Sequence, residues 1–294
     1  MLTACGGNVA TKPAVLQDAE SFTNGGLEAF ADANWNNAQL LFARALSLYQ
    51  GIDDQQGVLY SHINLAEVAL SRREYSTAEK HLDYAANIAK KVSLQHYQRR
   101  ISLLYALKAL QQNKIVLAES ILEPLLPVFD KAAPITIPDT IQIAAIANRT
   151  KIAFVQKQGE QLWTFRYANA LKLSATNNPD LEARLLRFQS SLVLQQGNYE
   201  KAEAKLQQAL SNYKTSLTRS GIAVTLSELG TLYMTQERWQ DALDYLNRSI
   251  SVFRYLGDLE RVIQTTEKLA IVEEELGNLE RSHALKQWLA DIKD

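Results

Sequence analysis

Small residues return at a fixed interval along this chain. Ala38, Ala78 and Ala118 are spaced by 40, as are Ala202, Ala242 and Ser282, and the gap between Ala118 and Ala202 is 84. One degenerate copy fits in that gap, which makes seven units. A second small set runs ahead of the first, at Gly26, Ala66, Ala106, Ser190, Gly230 and Ala270. Two helices can approach to roughly 8–10 Å only where the side chains at their crossing are about the size of alanine. Each unit therefore reads as a helix pair. A unit repeated at this period cannot bury its apolar face alone, so the copies must stack on one another.

The clearest copy is 226–253. Leu226, Leu229, Tyr233 and Met234 recur at helical spacing, and Trp239, Ala242, Leu246 and Val252 follow in a second helix. Trp35, Tyr75, Ile115, Tyr199, Trp239 and Leu279 open the second helices and are expected to fill the core. A late small site follows at Ala45, Ala85, Ala209 and Ser249. Short turns join the pairs, such as Gly197-Asn198 and Gly277-Asn278, where Gly and Asn tolerate the left-handed conformation that ends a helix.

The pattern breaks in the middle. Four of the six prolines, Pro124, Pro127, Pro134 and Pro138, crowd into one stretch. Proline inside a helix removes a hydrogen bond and collides with the preceding turn, so the second helix of the third unit should be cut short. The fourth unit, beginning at Asp139, is the poorest copy: Trp163 falls where alanine is expected, and Lys151 where glycine or alanine is expected. The last unit is polar, with Glu273, Glu274 and Glu275 expected to form a solvated face on the end of the stack.

The spacing L-x2-L-G-x2-Y followed by W-x2-A-x3-L resembles the tetratricopeptide (TPR) repeat, over residues 15–294. The resemblance implies an all-α, right-handed α-solenoid of about seven helix hairpins, bent near residues 124–138. The expected division is a tether over 1–14, repeats 1–3 over 15–130 and repeats 4–7 over 131–294. In such repeats the first helices line an inner face that holds a peptide or partner segment. Carried over, that face includes Asn64, Arg100, Asn148, Arg149, Arg184, Arg187 and Phe188. Arginine forks suit carboxylates, so an acidic segment is the partner expected. The lysines of a two-carboxylate clamp are absent, and a chaperone-tail ligand is not expected.

Leu2-Thr3-Ala4-Cys5 resembles a bacterial lipobox, which implies lipid on Cys5, attachment to the cell envelope and a chain facing the periplasm. The charged and apolar parts of a signal peptide do not stand in front of it. A cytoplasmic, peptide-sensing TPR module is the other setting that fits.

Chemistry is sparse. There is no phosphate-binding glycine loop and no H-E-x-x-H. The histidines, His62, His81, His96 and His283, show no metal-ligand spacing, and His62 reads as a packing residue. The single cysteine excludes an internal disulfide framework, and 31 basic against 32 acidic residues give no nucleic-acid footprint. No cofactor is expected, no catalysis, and no membrane contact except through lipid on Cys5.

Overall fold

The computed structural model describes residues 12–92, 95–127, 138–175 and 178–293. Among these residues there are fourteen α-helices and no strands: α1 Ala14–Ala31, α2 Trp35–Gly51, α3 Gln55–Ser71, α4 Tyr75–Val92, α5 Gln95–Gln111, α6 Ile115–Leu122, α7 Thr140–Gln156, α8 Glu160–Ser174, α9 Pro179–Gln195, α10 Tyr199–Thr215, α11 Arg219–Thr235, α12 Trp239–Tyr255, α13 Leu259–Glu275 and α14 Leu279–Lys293. Odd-numbered helices are the first of each pair and even-numbered ones the second. Cys5, the start of the tether and the linker at 128–137, where the bend is expected, lie outside the described residues.

The helices gather into two compact units. One takes the described residues up to Phe30 with Trp35–Leu104; the other takes Ala31–Asn34 with Tyr105–Asp294. In the first, α2 packs on α3 and α3 on α4. In the second, each helix from α6 to α14 packs on the next.

The small residues lie where the helices cross. Ala38, Ala78, Ala118, Ala202, Ala242 and Ser282 are all fully buried. The residue four further on, Phe42, Leu82, Leu122, Leu206 or Leu246, is the large core residue of its pair. A Cβ on Gly230 would stand 2.7 Å from Leu246 Cγ, so this crossing has no room for a side chain. Gly57 serves the contact between successive repeats: a Cβ there would stand 2.2 Å from the ring of Tyr49. Where the first helix carries serine, its hydroxyl spans the crossing, as Ser190 Oγ donates to the Ala202 carbonyl at 3.0 Å.

Side-chain caps fix the starts of five helices among the described residues. Asp54 accepts from the backbone N–H groups of Gln56 and Gly57, and Asn178, Asn198 and Asp258 cap α9, α10 and α13. Asp139 and Gln142 form a reciprocal capping box on α7. As the prolines require, α6 stops at Leu122 and runs into a 3-10 turn, Glu123–Leu125, with Pro124 in its first turn.

Three expectations are corrected. The residues opening the second helices do not all fill the core: Trp35, Tyr75, Ile115 and Trp239 are half-buried, while Tyr199 and Leu279 are exposed. Trp35 packs against the edge of the core around Ala38 and Phe42, its ring 5.0 Å from that of Phe30. Glu273 is not solvated but fully buried, taking a hydrogen bond from Asn278 Nδ2 at 2.8 Å and standing 2.9 Å from Arg281 Nε. Lys151 is not at the crossing of the fourth pair. It is exposed, and Thr150 takes that place, buried and donating to the Trp163 carbonyl at 3.2 Å as Ser190 does to Ala202. The α7–α8 turn causes the shift, because it carries two left-handed residues, Lys157 (φ 54°) and Gly159 (φ 66°), whereas Gly197 alone is left-handed in the α9–α10 turn.

A face of first helices in each unit

In the first unit, α3 and α5 bring Tyr60, Asn64, Glu67 and Arg100 together. Arg100 donates to both carboxylate oxygens of Glu67, at 3.1 and 2.8 Å, and to Asn64 Oδ1 at 3.2 Å, with its guanidinium over the Tyr60 ring. Burial works against the charge on Arg100, and the Glu67 carboxylate outweighs it and raises its pKa. Asn64 is buried, and among the described residues its Nδ2 has no hydrogen-bond partner.

The same unit contains a pair that sequence spacing did not suggest. His62 Nδ1 and His81 Nδ1 are 2.9 Å apart across the α3–α4 hairpin, and Tyr84 stacks on the His62 ring. Burial, then the neighbouring His81, lowers the pKa of His62 to about 4, and burial lowers that of His81. The hairpin that buries Ala66 and Ala78 brings these two rings together roughly one helical turn away, so the register contained the signal. Among the described residues no group of three or more His, Cys, Asp or Glu side chains could hold a metal.

In the second unit the first helices are bridged side by side. Arg187 of α9 donates to Glu228 of α11 at 2.7 and 2.5 Å. Lys268 of α13 donates to Thr231 Oγ1 of α11 at 2.8 Å. Burial opposes the charge of Arg187, and the hydrogen bonds to Glu228 more than compensate and raise its pKa. Between α11 and α13 lies a hollow of about 590 Å³, lined by Ser227, Glu228, Gln264 and Lys268 with Val224 and Ile271. Lys151 and Arg184 are both exposed, and among the described residues neither joins an ion pair or hydrogen bond. Burial, then the positive charge of Arg184, lowers the pKa of Lys151. The ring of Phe188 meets that of Tyr167 edge-on at 4.8 Å.

The expected site residues thus separate. Asn64 and Arg100 meet in the first unit; Asn148 is buried on α7, and Arg184, Arg187 and Phe188 share α9. Arg149 turns toward the second helices, paired with Glu119 at 2.7 Å and stacked over Trp163 at 5.0 Å. By the one-residue shift of α7, its expected place, equivalent to Phe188, goes to Asn148. Glu228 and Lys268 were also missed, although the same repeat positions carried forward to α11 and α13 lead to them.

Residues 221–294 match the tetratricopeptide repeat family, and α11 to α14, which span them, pack each on the next. Residues 221–294 are a TPR segment. No curated protein sequence matches this chain. The fold of the chain is shared by a tetratricopeptide-repeat sensor protein of the signal-transduction ATPase class from Pyrococcus horikoshii, with 17% identity and a TM-score of 0.58, over 93% of this chain and 41% of that one. NprR in complex with its cognate peptide NprX is similar at 14% identity and a TM-score of 0.56, over 95% of this chain and 79% of that one. The apo form of RapI is similar at 14% identity and a TM-score of 0.53, over 96% and 78%. The chain spans less than half the length of the first of these proteins.

Proposed function

We propose that this TPR chain is a non-catalytic scaffold that binds a peptide or an extended partner segment along the first-helix face of residues 140–294. Lys151 and Arg184 carry the proposal. Two neighbouring cations without a counter-ion, one of them already lowered in pKa by burial and by the other, are relieved when a carboxylate comes between them. Phe188 beside them offers apolar contact, and the hollow between α11 and α13 extends the same face with hydrogen-bonding groups for a backbone. Arg100 and Arg187 already hold Glu67 and Glu228, so the acidic preference rests on the other two cations.

The solved complex of NprR with its peptide makes a regulatory peptide sensor the second form of this reading. The lipobox-like Cys5 favours an envelope scaffold, lipid-anchored and facing the periplasm. Labelling cells with a fatty-acid analogue separates the two, since only the anchored form takes label at Cys5.

Binding is tested on an array of short peptides graded in Asp and Glu content. The wild-type chain should prefer acidic peptides, and Lys151→Glu with Arg184→Glu should lose that preference by about tenfold or more, about 1.4 kcal/mol. The same array pattern from both proteins would refute the assignment.

A further inference from the structure

The tips of hairpins three and four carry apolar side chains where other repeats are polar. The second and third residues of the second helix are Asn36–Asn37, Ser76–Thr77 and Gln240–Asp241 elsewhere, but Val116–Leu117 in α6. Val116 is 79% exposed and Leu117 50%. At the end of α7, Phe154 and Val155 are exposed, and on α8 so are Leu162 and Phe165, one turn apart on one side. Hydrogen bonding makes these neighbours. Gln156, next to Val155, donates to Glu119, one turn beyond Val116, and Thr150 of α7 donates to the carbonyl of Trp163, which lies between Leu162 and Phe165.

The packing of the stack does not use this surface. Val155 and Phe165 are each 64% exposed, so the side chains protrude and do not line a hollow. The flanking charge is basic on balance: Lys114 stands immediately before α6 and Lys157 in the α7–α8 turn, both exposed, against Glu160 at the start of α8. Of the acids on these hairpins, Glu119 is engaged by Arg149 and Gln156, and Glu160 opens α8. Protruding Phe, Leu and Val with lysines at their edge match the boundary between acyl chains and anionic headgroups, where apolar side chains enter and lysines meet phosphates. A partner helix would call for a groove, and an acidic protein surface would leave the protruding side chains in water.

We infer that the tips of the third and fourth hairpins form a membrane-contact surface that seats on an anionic phospholipid bilayer. It is independent of the peptide face and of any lipid on Cys5. With such a lipid it would supply the second of the two signals that stable anchoring needs.

The test uses the full chain with Cys5→Ser, so that no acyl chain contributes, floated with vesicles of equal parts phosphatidylglycerol and phosphatidylcholine. The chain should float with these vesicles and be released by neutral phosphatidylcholine vesicles or high salt. Val116→Glu with Phe165→Glu should weaken binding at least about tenfold, and Leu259→Glu, exposed elsewhere, should not. A fluorophore on Val155→Cys in the same background should shift to the blue with vesicles, which tests the surface even if the glutamates disturb folding. Absence of wild-type binding, or binding indifferent to the two glutamates with no shift at position 155, overturns the inference. So does self-association in sedimentation that the glutamates abolish without vesicle binding, since a second copy would then be the occupant.

Discussion

Arg187 and Glu228 are joined by two hydrogen bonds, at 2.7 and 2.5 Å, across the gap between α9 and α11. The pair ties the first helices of two successive repeats together and removes one arginine from those available to a partner. Arg187→Ala should lower stability by about 1–3 kcal/mol, because Glu228 loses its cation and a half-buried charge-assisted bond is broken. Urea unfolding measures it, and Arg187→Ala with Glu228→Ala should cost less than the two single changes added.

The two histidines make stability pH-dependent. An unfolded chain protonates His62 near the ordinary value of 6.5, and the folded chain does so only near 4. As pH falls from above 6.5 toward 4, the unfolded state binds a proton that the folded state refuses, so stability declines across that window and is retained above it. At pH 5 the loss from His62 is roughly 2 kcal/mol relative to pH 8. Unfolding curves at both pH values should show the wild type losing that much more than His62→Gln.

Leu217 is 75% exposed and left-handed, with φ 55°. A β-carbon is disfavoured there by roughly 1–2 kcal/mol. Leu217→Gly should therefore stabilise the chain by about 1 kcal/mol, since part of that strain relief is offset by the greater freedom of glycine in the unfolded state. A melting temperature that falls would contradict the conformation.

At the crossing position of one hairpin stands Ala242 and at that of another Trp163. Ala242→Trp should overfill its site and cost about 1–3 kcal/mol. Trp163→Ala should cost about 3–5 kcal/mol, leaving a cavity under the guanidinium groups of Arg149 and Arg166. Calorimetry of both variants checks that these equivalent positions have opposite size requirements.

Much of this was legible in the residues. Ala78 and Ala202 are buried because a helix crossing tolerates only a small side chain, and the period reveals that without coordinates. Side-chain pairing was harder to read. Glu273 looks solvated beside Glu274 and Glu275 until Asn278 and Arg281, on the far side of a turn, are seen to meet it. Lys151 looks like a failed crossing residue because repeat spacing ignores turn conformation, and a second left-handed residue moved α7 by one position. The arginines were visible, but their local glutamates could not be assigned without knowing which first helices face each other. Arg184 was among the residues expected on the first-helix face, and Lys151 joins it only once those pairs are removed.

Partner capture at the first-helix face is measured most directly by replacing Phe188 with a photo-crosslinking phenylalanine analogue in cells of the native organism and identifying the adducts. The account predicts a protein or peptide adduct through a segment rich in Asp or Glu, lost with Lys151→Glu and Arg184→Glu and absent when the same analogue replaces Leu217. No adduct at 188, or the same adduct at 217, would contradict it.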